Sequence, residues 1–188
     1  MPSRKNQRTT MKTNKPLRIV QLVGTLNAAV WLGGAVFFTF IAGPVFFDPA
    51  LKEILPKPED GIAARLLIGR FTAFQISCAV IAVITLIIGW RLGGRPFPRA
   101  QALLLGGIVL LIVLALLMLT PKLDALHHLK YADYFGLNAT KEQSEAAAKA
   151  FGPLHGLSMV GNLVVMLGLL AQFILAWKDA TNHKEEPG

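Results

Sequence analysis

Charged residues are scarce in this chain and are absent from four long stretches. Of its 188 residues, 16% are Asp, Glu, Lys or Arg, whereas a soluble domain carries about 25%. The charge-free stretches are residues 19–47, 71–90, 100–121 and 150–177. A soluble helical domain needs charged and polar side chains along the outer face of every surface helix. This segregation of charge excludes an ordinary soluble domain and a soluble enzyme.

Cysteine is equally scarce, because Cys78 is the only one in the chain. A single thiol excludes an internal disulfide and a cysteine-based zinc site. Its place inside the second charge-free stretch also excludes a lipid-modified cysteine at the N-terminus. We therefore predict that Cys78 is a small, buried, apolar residue.

Each charge-free stretch is long enough to cross a bilayer as a helix. About 20 apolar residues, rising 1.5 Å each, span roughly 30 Å of hydrocarbon. The stretches are continuously apolar, without the two-residue alternation of an outer-membrane barrel. We predict an all-α membrane protein, an antiparallel four-transmembrane-helix bundle. The spans are expected at about residues 19–44, 69–90, 101–121 and 152–177.

These spans divide the chain into a membrane domain, residues 18–178, and two tails. The basic tail, residues 1–17, is expected to be disordered in part, and a short tail follows at residues 179–188. Residues 62–68 are predicted to form a helical lead-in to the second span. Thr140 and Gln143 form a capping-box pattern at the start of a helical pattern that continues to Trp177.

The basic residues are unevenly divided between the two sides of the predicted bundle. The tails and the loop between spans two and three carry eleven basic and three acidic residues, while the other two loops carry eight of each. By the positive-inside rule, both termini are cytoplasmic, and that face holds the whole net charge of +8. This bias accounts for the excess charge without nucleic acid, and we predict no nucleic-acid partner.

The expected partners are the lipid bilayer and, at the cytoplasmic face, anionic lipid headgroups. Other membrane subunits, or further copies of the chain, are open alternatives. The predicted location is a membrane crossed several times, with the bacterial inner membrane as the expected one.

Polar residues inside the spans are the functional candidates, because they are costly there and usually face other helices. In span four, His155, Ser158, Met159, Asn162 and Met166 follow one another at helical spacing along one stripe. Span two offers Gln75 at similar depth, and span one offers Asn27 and Trp31 deeper in the membrane. The candidate ligand-binding residues are His155, Ser158, Asn162, Gln75, Asn27 and Trp31.

Two interpretations of these residues stay open. In the first, the polar side chains hold the helices together through hydrogen bonds worth about 0.6 to 2 kcal/mol each. In the second, His155 binds haem iron or copper with Met159 or Met166 as a soft second ligand, or transfers a proton. His127 and His128 would be the natural additional donors.

The residues around His155 also resemble a known family. The run Phe151-Gly152-Pro153-Leu154-His155-Gly156-Leu157-Ser158, followed by Asn162, resembles the final span of the transmembrane protein 205-like family, also called domain of unknown function 4149. Supporting pieces are Trp31-Leu32-Gly33-Gly34 in span one, Gly69-Arg70-Phe71 in span two and Leu119-Thr120-Pro121 at the end of span three. The resemblance covers about residues 17–178 and implies a four-span helical membrane protein.

The functional prediction is correspondingly broad. We predict a bundle that binds a small ligand or a metal or takes part in transport, or an accessory subunit of a larger membrane complex, and we favour a role without catalysis. The alternative is a haem-binding membrane oxidoreductase, similar in layout to the four-helix protoporphyrinogen oxidase of bacteria. In that case His155 would bind haem and a substrate would dock near Gln75.

Overall fold

The computed structural model describes residues 15–94 and 96–181, which form five helices and no strand. Helix α1 is Lys15–Val45, α2 is Pro49–Ile54, α3 is Glu59–Gly93, α4 is Arg99–Lys130 and α5 is Lys141–Thr181. All but α2 are long and apolar enough to cross a membrane. The predicted all-helical fold with four membrane-length helices is confirmed. The disorder expected in the basic tail concerns residues that lie outside the described ones, apart from residues 15–17, which begin α1.

The helix ends follow from local chemistry. At the start of α5, Thr140 N donates to Gln143 Oε1 at 2.9 Å and Gln143 N donates to Thr140 Oγ1 at 3.3 Å, which confirms the capping box. Asp48 caps α2 by accepting a hydrogen bond from Ala50 N at 2.8 Å. Helix α3 ends at Gly93 and is followed by Gly94, whose φ of 61° is left-handed and favours glycine.

Two of the membrane helices contain a π-helical turn, at Phe38–Ala42 in α1 and Ala115–Leu119 in α4. Each turn comes just before a proline, Pro44 or Pro121. Proline has no amide hydrogen and disturbs the carbonyl four residues earlier, so a wider turn lets the helix continue past it. The helix that contains the predicted span 101–121 therefore runs on to Lys130. The helical lead-in predicted at residues 62–68 is part of α3, which begins at Glu59.

Helix α1 lies between α3 and α5, and α4 packs mainly against α5. Thr85 of α3 is beside Gly24 of α1, and Phe74 is beside Gly34. Gln21 of α1 likewise contacts Asp179 of α5. One end of the bundle thus gathers the start of α1 and the end of α5, and we call it the terminal end. The opposite end, with the α2 segment and the connection between α4 and α5, is the loop end.

The buried core is narrow and lies around Trp31, which is fully buried. It includes Ala35, Cys78, Ala79, Ala82, Leu105, Ile108, Ile112, Val165, Met166 and Leu169. The small residues of α3 let that helix approach α1 closely. Large aliphatic side chains on the outer faces of the helices remain exposed, which is the arrangement that a hydrocarbon environment favours.

Candidate functional site

Two interior asparagines join α1 to its neighbours. Asn27 Nδ2 donates to the backbone oxygen of Cys78 at 2.9 Å, and both residues are buried. Asn162 Nδ2 donates to Thr39 Oγ1 at 2.8 Å, and Thr39 Oγ1 donates to the oxygen of Ala35 at 2.7 Å. These contacts give both candidate residues a structural role as interhelical hydrogen bonds.

Polar contacts between α1 and α5 continue toward the terminal end. Thr25 Oγ1 donates to the backbone oxygen of Ala176 at 3.4 Å. Gln21 Nε2 donates to Asp179 Oδ2 at 3.2 Å. These bonds run along one wall of a cavity, described next, that extends from the bundle interior to the terminal end.

The cavity has a volume of about 160 Å³ and is formed mainly by α1, α3 and α5. Its inner part is lined by Trp31 and Gln172, and its outer part by Gln21, Gln101 and Asp179. The rest of the lining includes hydroxyl groups and apolar side chains, namely Leu17, Thr25, Thr85, Leu86 and Trp90. The described residues thus enclose a space that combines an apolar wall with several hydrogen-bonding groups.

Two residues that line this cavity have a buried polar atom that lacks a partner among the described residues. Trp31 has no exposed surface and Gln172 has 4%. Within the described residues, neither Trp31 Nε1 nor Gln172 Oε1 has a hydrogen-bond partner. A buried donor or acceptor without a partner costs about 1 to 3 kcal/mol, and native proteins keep few of them. Trp31 Nε1 can only donate and Gln172 Oε1 can only accept, so the two atoms have complementary needs.

Gln172 is not among the residues that the sequence predicts. It is a polar residue inside the charge-free stretch of span four and lies three residues after Leu169, which is buried. This spacing places it on the inward face of α5. The helical stripe of side chains counted from His155 does not include Gln172. A stripe counted from the opposite end of span four would have included it.

The residues predicted around His155 lie near the loop end and are only partly brought together. The His155 ring stacks on Phe151 at 5.7 Å between centroids, and Phe151 in turn lies 6.2 Å from the ring of His127. Ser158 is half-buried. Met159 is 58% exposed and shares an outward stripe with Leu163, so it is turned away from the bundle interior.

The charged residues of the loop end form a separate contact. Arg65 Nη2 lies 2.7 Å from Asp124 Oδ2, and Arg65 Nη1 lies 3.3 Å from His128 Nε2. Among residues 15–94 and 96–181, no group of three or more His, Cys, Asp or Glu side chains could hold a metal ion. The metal hypothesis for His155 and Met159 remains a prediction.

The last candidate, Gln75, is 7% exposed and lies in α3 one turn before Cys78. It is therefore part of the bundle interior. Of the six predicted ligand-binding residues, the structure places only Trp31 on the wall of the cavity at the terminal end.

The helices and their lipid-compatible surfaces define a multi-pass helical membrane protein. A sequence model of the family described as "Domain of unknown function (DUF4149)" matches residues 26–132. The chain belongs to this family, as the resemblance predicted. The match includes Trp31 and Asn27 and ends before the His155 segment. No curated protein and no solved structure matches the chain.

Proposed function

We propose that this chain is a membrane-embedded binding protein that holds a small polar ligand in the cavity beside Trp31 and Gln172. The observation that carries the proposal is that Trp31 of α1 and Gln172 of α5 both line this cavity and that each has a buried polar atom without a partner among the described residues. A ligand that meets both atoms recovers the free energy that they lose in the empty protein.

The polar atoms of the cavity lining restrict which functional groups the ligand can carry. Trp31 Nε1 requires an acceptor and Gln172 Oε1 requires a donor. A primary amide or a hydroxyl group supplies both, and an apolar body would pack against Leu86 and Trp90. An ordered water molecule could also bridge the two atoms, so the test must distinguish a ligand from water.

The orientation of the bundle is part of the proposal. Contacts such as Gln21 with Asp179 and Thr39 with Asn162 support an antiparallel arrangement of α1 and α5. The excess of basic residues in the tails and in the loop between α3 and α4 supports a cytoplasmic location for both termini. The cavity would then be reached from the cytoplasmic side, where anionic lipids surround the basic segments.

A pair of small probes tests the proposal in detergent solution. Benzamide carries the required donor and acceptor, while acetophenone has nearly the same shape and only the acceptor. A ligand that binds the folded state raises its stability according to ligand concentration and Kd. We expect benzamide to raise the unfolding midpoint more than acetophenone does, although acetophenone partitions better into apolar surroundings.

Matched variants assign this difference to the cavity. Gln172→Leu should remove the preference for benzamide, because the acceptor is lost. Gln101→Leu makes the same chemical change at the outer part of the cavity and should leave the preference in place. Equal stabilisation of the unmodified protein by both probes would show that the two atoms do not form a ligand site, as would a preference that survives in Gln172→Leu.

A further inference from the structure

A second cavity lies between α3 and α4, on the lipid-facing side of the bundle. It has a volume of about 270 Å³ and no polar lining. Its lining residues are Ile76, Ala79, Val80, Val83, Ile84, Val109, Ile112 and Val113. None of them lines the cavity of Trp31 and Gln172. We call this space the aliphatic groove.

The faces that line the groove continue to two arginines at the terminal end. On α3, Arg91 follows Val80 and Ile84 by eleven and seven residues, spacings that return to the same side of a helix. On α4, Arg99 precedes Val113 by fourteen residues, close to four full turns. Both arginines are exposed.

The space between the groove and the arginines is open along α4. Gly106 lies one helical repeat of seven residues before Val113, and a Cβ at this position would meet no atom within 4 Å. Ala102, one turn further toward Arg99, is also small. Between Val109 and Arg99, the positions of α4 next to the groove, Ala102 and Gly106, therefore carry no large side chain, and an extended apolar chain can lie along them.

The distances match a phospholipid. With a rise of 1.5 Å per residue, Ile84 lies about 10 Å along the helix from Arg91, and Val109 about 15 Å from Arg99. Trp90 and Phe97 meet edge to face at 5.1 Å between centroids at the same end of the helices, as aromatic residues do at the headgroup level. The groove thus begins about half an acyl chain below the two positive charges.

We infer that the aliphatic groove and the two arginines form a binding site for one anionic phospholipid. One acyl chain occupies the groove, and the phosphate lies between Arg91 and Arg99, which can each donate two hydrogen bonds to it. A second copy of the chain is the less favourable occupant, because a symmetric contact through this face would bring the same arginines together.

Native mass spectrometry of the whole protein in mild detergent tests this site. The protein is titrated with phosphatidylglycerol or with phosphatidylcholine of the same acyl chains, and retained lipid is counted. We expect one phosphatidylglycerol to be retained in preference to phosphatidylcholine. The attraction between two exposed opposite charges is worth up to about 1 kcal/mol, which corresponds to about fivefold in affinity. Arg91→Gln should therefore lower the preference by up to about fivefold, and the double variant with Arg99→Gln by up to about 30-fold.

Two controls separate the charge from the groove. Lys178→Gln removes a positive charge at the same end but on α5, and it should leave the preference unchanged. Gly106→Leu fills the open path and should reduce retention of both lipids, whereas Gly107→Leu makes the same change on the neighbouring position, where there is also open space, and should reduce neither.

Several results would overturn the site. Equal retention of the two lipids by the unmodified protein would do so, as would an unchanged preference in the double arginine variant. A dimer that Gly106→Leu dissociates, without any lipid bound, would show that a second copy fills the groove. The site does not depend on the ligand proposed beside Trp31, because Gln172→Leu should retain the lipid in full.

Discussion

Asn162 of α5 donates a 2.8 Å hydrogen bond to Thr39 of α1, within the first π-helical turn. The wider turn and the hydrogen bond occur at the same place, so α1 is attached to α5 where its own backbone pattern changes. Thr39 is itself held by the carbonyl of Ala35. The Asn162–Thr39 hydrogen bond joins α1 and α5 in the half of the bundle near the loop end. The cavity lined by Trp31 and Gln172 lies in the half near the terminal end.

Replacing Asn162 with Leu should lower the free energy of unfolding by about 0.6 to 2 kcal/mol, the usual range for a hydrogen bond between membrane helices. The lower part of the range is expected, because Thr39 keeps its bond to Ala35. Unfolding by a denaturing detergent, followed by circular dichroism, measures the loss. Ser158→Ala, on the same helix, is the control and should change stability by less than about 0.5 kcal/mol. Equal losses in both variants would contradict this role.

Gly34 and Gly33 form a matched pair on α1. A Cβ on Gly34 would lie 2.5 Å from Phe74 Cε1, whereas one on Gly33 would meet nothing within 4 Å. Phe74 packs against the core and beside Phe71, so its ring has little freedom to move away. Gly34→Ala should therefore cost about 1 to 3 kcal/mol.

The same unfolding measurement should show Gly33→Ala to be neutral or slightly stabilising, because alanine is favoured over glycine in a helix by up to about 1 kcal/mol. If the two variants lose the same stability, the close approach of α1 and α3 at Gly34 is wrong.

Gln172→Leu should stabilise the protein in the absence of ligand. The substitution removes a buried acceptor that has no partner among the described residues, and the expected gain is up to about 1 to 3 kcal/mol. Gln172→Asn keeps an amide but is shorter, so it should bring no gain. A Leu variant that is less stable than the Asn variant would show that the Gln172 oxygen is already satisfied.

The ion pair of Arg65 with Asp124 should contribute little, despite its 2.7 Å distance. The two side chains are 50% and 24% exposed, and such pairs are worth about 1 kcal/mol or less because of hydration and salt screening. A double-mutant cycle with Arg65→Gln and Asp124→Asn measures the coupling. A coupling above about 2 kcal/mol would mean that the loop end is far less hydrated than the exposures indicate.

Much of the architecture was predictable because a bilayer constrains sequence strongly. Charged residues are costly in the hydrocarbon and rare along the spans, so the number and approximate position of the spans are visible in the sequence. The ends of the helices were less predictable. Pro121 looks like a stop signal, yet a π-helical turn before it lets α4 continue to Lys130. Whether a helix adopts such a turn depends on packing against its neighbours, which a local pattern does not contain.

The candidate site was predictable only in part. Asn27, Trp31 and Asn162 are polar or aromatic residues in apolar stretches, and the structure places all three at helix contacts. The presence of Trp31 and Gln172 at one cavity is different, because it depends on two residues 141 positions apart in sequence. The sequence does not show that the polar atoms of these two residues lack partners, because this depends on how the helices pack.

The indole proton of Trp31 tests the central claim most directly. Protein labelled with nitrogen-15 in tryptophan shows three indole signals, since the chain has three tryptophans, and Trp31→Phe identifies the signal of interest. During a benzamide titration, the Trp31 Nε1–H signal should move downfield and saturate, as a proton that gains an acceptor does, and in Gln172→Leu it should move less at the same benzamide concentration. A Trp31 signal that does not move, or that moves equally in Gln172→Leu, would contradict a ligand site between these two residues.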